Sequence, residues 1–124
     1  RGGWGAILRY GRHTREISGG EEDTTNNRME LQAALEALRA LTEPCQVTLY
    51  TDSEYLKKGI TEWMPNWKRR HWRRKGGKLA NVDLWMKLDE EIARHEMHWR
   101  WVRGHAGNPM NECVDKLARQ AIPK

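Results

Sequence analysis

Glu30-Leu-Gln-Ala-Ala-Leu-Glu-Ala-Leu-Arg-Ala-Leu41, followed past Pro44 by Val47-Thr-Leu-Tyr-Thr-Asp52, decides the fold class of this 124-residue chain. In the first stretch Leu31, Ala34, Leu35, Leu38 and Leu41 recur at i, i+3, i+4 and i+7, which puts them on one face of a helix. Pro44 stands where that helix could not continue. In the second stretch the apolar period falls to two among β-favouring residues, predicting a strand that ends at Asp52. A helix feeding directly into a strand is the signature of an α/β domain.

Working toward the N-terminus, Trp4-Gly-Ala-Ile-Leu-Arg-Tyr10 and Arg15-Glu-Ile-Ser18 flank the turn-prone Gly11-Arg-His-Thr14 and read as a hairpin. A polar link, Gly19-Gly-Glu-Glu-Asp-Thr24, leads to the main helix and ends in candidate caps. Toward the C-terminus, Ser53-Glu-Tyr-Leu-Lys-Lys-Gly59 reads as a short helix with Ser53 as cap and Gly59 as stop. Helical pattern resumes through a basic segment and breaks at Gly76-Gly77. Val82, Trp85, Met86, Leu88, Asp89 and Ile92 mark a further helix with Asn81 as cap. Met97-His-Trp-Arg-Trp-Val102 alternates as a strand, Gly104-His-Ala-Gly-Asn-Pro109 is a loop, and Glu112 to Ile122 is a closing helix. The order predicts a mixed sheet within a single domain spanning residues 1–124.

Composition narrows the function. Hydrophobic residues make up 38% of the chain and seven are Trp, enough apolar area to argue against disorder. No apolar run approaches the roughly 18 residues of a membrane span. Cys45 and Cys113 lie far apart without zinc-ligand spacing, so a reducing, cytoplasmic setting is expected. The net charge of +5 favours an acidic partner, nucleic acid first. It is also localised: the 22 residues from Lys57 to Lys78 sum to +8 and leave the remaining 102 at −3. That segment carries Lys68, Arg69, Arg70, Arg73 and Arg74 interleaved with Trp63, Trp67 and Trp72, which suits a phosphate-binding surface. A plainer reading stands beside it, with Trp63 and Trp67 at i, i+4 packing inward and the charges solvated.

Three acids occupy positions that suit chemistry. Glu30 falls in the first turn of the main helix, Asp52 closes a strand, and Asp115 comes early in the final helix. Sites in open α/β sheets gather beyond the carboxyl ends of strands. Converging carboxylates repel unless a cation neutralises them, and hard oxygen ligands suit Mg²⁺ or Mn²⁺. Such a cluster supports two-metal displacement at phosphate. Structural readings remain open for each: Glu30 stands three after Asn27, the capping-box spacing; Asp52 could be a turn residue; Asp115 could serve the helix dipole. His105, between Gly104 and Gly107, could exchange protons near such carboxylates or be an ordinary surface histidine.

Taken in order, Thr25-Asn-Asn-Arg-Met-Glu-Leu31, Tyr50-Thr-Asp-Ser53, Trp63 with Asn66-Trp67, Asn81-Val-Asp-Leu-Trp85, Trp101-Val-Arg-Gly-His-Ala-Gly107 and Asn111-Glu-Cys-Val-Asp115 resemble type 1 ribonuclease H of the bacterial kind over essentially the whole chain. The resemblance implies a five-stranded mixed sheet flanked by helices, with a basic helical protrusion. It implies an endonuclease that hydrolyses the RNA strand of RNA/DNA hybrids without sequence preference, using two Mg²⁺ ions for which Mn²⁺ can substitute. Four carboxylates serve that family in the order Asp, Glu, Asp, Asp, and Glu30, Asp52 and Asp115 match the last three. His105 matches a histidine that assists proton transfer or product release. By the same resemblance Asn26 and Asn27 contact the hybrid in its minor groove, and Thr25 and Asn81 belong to a pocket for a DNA-strand phosphate. The basic segment, from Trp63 through Arg74, grips the DNA strand. Members of the family usually act as monomers, and no membrane is involved.

Three departures accompany the resemblance. The family's first carboxylate lies on a strand ahead of a Gly-rich turn that runs into a segment like Arg1-Gly-Gly-Trp-Gly-Ala6, so that strand and acid are expected before residue 1. Glu21, Glu22 and Asp23 are not placed to substitute for it. Glu54 stands where many relatives carry Gln, and Asp23 where some carry Arg. Without the first acid, the same residues would make a non-catalytic hybrid-binding module, a reading that the residues preceding Arg1 would decide. Another nuclease or integrase of the same superfamily would share the acids but leave the basic segment and the Asn26–Asn27 pair unexplained.

Overall fold

The computed structural model describes residues 1–10, 12–72 and 80–102. Two strands open the chain, β1 (Gly2–Tyr10) and β2 (His13–Glu21), antiparallel in a register that runs from Tyr10 opposite His13 to Gly2 opposite Glu21. The hairpin is longer than its alternation alone indicates. Gly19 and Gly20, read from sequence as a polar link, belong to β2, because Gly19 sits under the Trp4 ring and a Cβ there would come within 2.7 Å of it. Helix α1 (Asn26–Arg39) follows, capped by Thr25, whose hydroxyl accepts from the Arg28 amide at 3.2 Å.

Strand β3 (Gln46–Thr51) pairs in parallel with β4 (Glu96–Trp101), Gln46 opposite Glu96 and Thr51 opposite Trp101. A parallel pair needs a crossover. Here it is α2 (Glu54–Lys58), a π-helical turn (Gly59–Trp63), α3 (Met64–Arg69) and α4 (Val82–Arg94). The π turn passes into α3 at Pro65, which has no N–H to give to the preceding turn.

Among the described residues there are four strands in two hydrogen-bonded pairs, against the five-stranded sheet that the resemblance implies. Alternation in sequence identifies a strand, but long-range pairing decides which strands share a ladder. No described segment joins the two pairs by a ladder. The closing helix expected at residues 112–122 lies outside the described residues, as do the Gly76-Gly77 break and the 104–109 loop.

The core forms where α1 meets α4. Leu31, Leu35 and Leu38 of α1 are essentially inaccessible, as are Trp85 and Leu88 of α4, and Leu56, Met64 and Leu84 complete the cluster. Val47 and Leu49 of β3 and Met97 and Trp99 of β4 pack on it from the sheet. Two sequence expectations fail here. Met86 is exposed rather than apolar-face, with Leu84 buried in its stead. Gly59 does not stop α2: it keeps helical angles (φ −62°, ψ −46°) and is glycine because the Trp85 ring occupies the space a side chain would need.

Candidate active site

Asp52 immediately follows β3, at the carboxyl end of the parallel pair, and the ladder closes beside it with the Val102 amide donating to the Thr51 carbonyl at 3.0 Å. Ser53 comes next and is buried. Its hydroxyl does two things: it accepts from the Leu56 amide at 3.0 Å, capping α2, and it donates to the Glu30 carboxylate, joining α1 to the β3–α2 junction. The Thr51 hydroxyl accepts from the Ser53 amide at 3.1 Å and steadies the turn that presents Asp52.

Glu30 therefore reaches the end of β3. It is the fifth residue of α1 rather than a first-turn residue, so its side chain is not tied back to Asn27 in a capping box; Thr25 is the cap. Glu30 is exposed as a residue, yet its carboxyl is raised above its ordinary value, chiefly because partial desolvation costs it water. The nearby charge of Asp52 adds to the rise, and the Ser53 hydrogen bond opposes it. Asp115 and His105 lie outside the described residues, and among the described residues no three His, Cys, Asp or Glu side chains converge.

The raised Glu30 carboxyl has a consequence for stability. A carboxyl whose folded pKa exceeds its unfolded value adds stability at low pH that is lost as pH rises through the folded value. In metal-free buffer Glu30→Gln is therefore expected to melt slightly above the parent at neutral pH, the effect being small because the residue is exposed. That gap should close as pH falls through the range where the carboxyl protonates. Thermal melts across this range check it, and a gap independent of pH would assign the change to packing.

Around the N-terminus of α1 the structure gathers several residues singled out above. Asn26 and Asn27 are exposed in the first turn. The Arg28 guanidinium donates to the Asn81 carbonyl oxygen at 3.1 Å and forks onto both oxygens of Asp83 at 3.0 and 2.8 Å. This ties the first turn of α1 to the start of α4. Asn81 precedes α4 with left-handed backbone (φ 57°), but it makes no side-chain cap. Its side-chain nitrogen instead donates to the Tyr55 hydroxyl at 2.9 Å.

The aromatic residues of the basic segment pack inward. Trp63 and Trp67 stack with ring centroids 6.0 Å apart, both pack edgewise on the buried Trp85, and Trp72 lies 6.2 Å from Trp67. Lys68 pairs with Asp89 at 3.1 Å across a cavity of about 320 Å³ lined by Ile60, Met64 and Trp99 among others; neither Glu30 nor Asp52 lines it. Arg69 and Arg70 are exposed at the end of α3, and Arg73 and Arg74 lie outside the described residues. Sequence reasoning missed Ser53's second bond and all of Arg28, Tyr55 and Asp83. No local pattern signals a bond across 53 or 55 positions, the separations of Asn81 and Asp83 from Arg28.

Comparison with known proteins shows which family the chain resembles. A family model described as RNase H matches residues 1–123. The chain is 61% identical over 122 residues to ribonuclease H of Hahella chejuensis, covering 98% of this chain and 82% of that protein. It is 56% identical over 123 residues to ribonuclease HI of Pseudomonas aeruginosa, covering 98% and 83%. Among solved structures, LC9-RNase H1, described as a type 1 RNase H with the type 2 active-site motif, superposes with a TM-score of 0.81 at 33% identity, over 96% of this chain and 69% of that one. A foamy viral protease-reverse transcriptase solved with RNA/DNA hybrid superposes with a TM-score of 0.69 at 18% identity, over 96% of this chain and 19% of that one, a likeness of fold.

Proposed function

The chain belongs to the RNase H family, and on that premise we propose that it is an endonuclease hydrolysing the RNA strand of RNA/DNA hybrids. The observation that carries the reading is the meeting of Glu30, from α1, with Ser53 beside Asp52 at the carboxyl end of β3. A partly desolvated carboxylate next to a second carboxylate is a pair whose repulsion a divalent cation relieves, and its hard oxygens fit Mg²⁺, with Mn²⁺ as substitute. Glu30, Asp52 and Asp115 would hold two such ions. When bound, these supply Lewis acidity and neutralise the charge that builds on the phosphodiester.

The chain's own residues do the rest. Ser53 fixes the Glu30 carboxylate so that it need not reorganise during the reaction. His105 takes up or hands on a proton. Asn26 and Asn27 offer amides that donate to and accept from the 2′-OH in a wide, shallow minor groove, which distinguishes RNA from DNA. Thr25 and Asn81 hold a phosphate of the DNA strand. Lys68, Arg69, Arg70, Arg73 and Arg74 give phosphate affinity without sequence choice, and Trp63, Trp67 and Trp72 belong to the same segment. In this reading residues 1–124 act as one domain, as a monomer, in the cytoplasm.

Labelled RNA/DNA hybrid incubated with the protein and Mg²⁺ should yield RNA fragments with 5′-phosphate and 3′-hydroxyl ends. Binding without cleavage would favour a hybrid-binding module, and equal cleavage of duplex DNA would overturn the reading. Neutralising Arg69, Arg70, Arg73 and Arg74 together should raise KM on the order of tenfold at moderate salt and leave kcat within about twofold. The slope of log Kd against log salt should become shallower by roughly 3. Fluorescence titrations at several salt concentrations measure it.

A further inference from the structure

We propose that Arg28 is a positioning residue for hybrid binding, locking the Asn81 side-chain amide in the one orientation that turns its N–H₂ toward phosphate. The proposal rests on the reading of Asn81 as a phosphate contact.

An asparagine amide has two faces that differ only in chemistry, the oxygen accepting and the nitrogen donating. A phosphate only accepts, so Asn81 binds it with one orientation and repels it with the other. A guanidinium has donors and no acceptor. Whatever Asn81 atom faces Arg28 must therefore be the oxygen, as observed at 3.1 Å. Arg28 is itself fixed by the two-bond fork onto Asp83.

The opposite side of the amide meets the Tyr55 hydroxyl, which can donate as well as accept, so Arg28 is the partner that fixes the orientation. The Tyr55 hydroxyl oxygen accepts from Asn81 Nδ2 at 2.9 Å and from Trp85 Nε1 at 3.2 Å. Trp85 is fully buried and Tyr55 stacks on it with centroids 5.6 Å apart, so the anchor belongs to the core. One N–H of Asn81 is spent on Tyr55, and the other remains to donate. Because the Arg28 charge is matched by Asp83, its contribution is orientation and not phosphate attraction.

That distinction makes the proposal testable. Hybrid affinity is measured in metal-free buffer at several salt concentrations, kcat is measured separately at saturating hybrid, and thermal melts establish folding. Arg28→Met combined with Asp83→Asn leaves the local charge unchanged but removes the lock. This double variant should bind hybrid about 5- to 20-fold more weakly, with kcat within about twofold and the salt slope unaltered. Arg28→Lys, which keeps a donor-only head but loses the fork onto Asp83, should bind more weakly than the parent yet clearly more tightly than the double variant. In an Asn81→Ala background, adding the double variant should change Kd less than twofold, because no amide remains to orient.

Parent-like binding by the double variant overturns the proposal, as does binding by Arg28→Lys as weak as that of an unlocked amide. An undiminished effect in the Asn81→Ala background also overturns it. Parent-like binding by Asn81→Ala alone would instead remove the phosphate reading of Asn81, and the proposal with it. If the double variant does not fold, Arg28→Lys and the salt slope of Arg28→Met decide: a slope shallower by about one would mark Arg28 as a direct phosphate contact and refute the lock.

Discussion

Asp52→Asn is expected to lower kcat for hybrid cleavage by on the order of 10³-fold or more while hybrid affinity stays the same or tightens. The substitution is nearly isosteric, so the Thr51–Ser53 turn and the Ser53 cap on α2 should survive it. What changes is charge. A carboxylate beside Glu30 becomes a neutral amide, weakening the hold on divalent ions and easing repulsion of the phosphate backbone. Single-turnover cleavage and a separate binding titration resolve the two effects. If binding is lost along with cleavage, Asp52 serves the architecture of the turn instead.

Gly59→Ala should destabilise the protein by about 3 kcal/mol or more, against the usual trend for glycine in a helix. At a helical glycine, alanine ordinarily adds up to about 1 kcal/mol through propensity and reduced freedom of the unfolded chain. Gly59 has ordinary helical angles, so that gain applies in principle. It is outweighed by overlap, because a Cβ would stand 1.9 Å from the tip of the Trp85 ring and 2.4 Å from the next ring atom. The ring cannot retreat: it is fully buried, stacked on Tyr55 and edged by Trp63 and Trp67. Denaturant unfolding measures the loss, and Trp85→Leu should recover part of it in combination. A gain of stability in Gly59→Ala would mean that Trp85 is not seated against the π turn.

The parts of this fold legible in sequence are those that depend on short-range periodicity. The apolar stripe from Leu31 to Leu41 follows directly from the helical repeat, and Leu31, Ala34, Leu35 and Leu38 are buried as it requires. Asp52 is equally visible, since period-two alternation gives the strand and the strand gives the acid at its carboxyl end. Ser53 is recognisable as a cap because capping is local, whereas its bond to Glu30 spans 23 positions and leaves no local trace. Gly59 and Asn81 show the same limit from another side. By residue type each suits the role most common next to a helix, stop or cap, and each is placed by a distant aromatic instead: Trp85 for Gly59, Tyr55 for Asn81. Trp63 and Trp67 could be read either way, and the indole of Trp85, 18 or more positions away, draws both inward.

The central claim is that Glu30 and Asp52 act together to hold divalent ions at the end of β3. Titrating Mn²⁺ into ¹⁵N-labelled protein and following the amide spectrum tests it most directly, because paramagnetic broadening falls off steeply with distance from the ion. Broadening that begins at Glu30, Asp52 and Ser53 and is lost in Asp52→Asn is the expected result. Broadening centred elsewhere, or unaffected by Asp52→Asn, would contradict it.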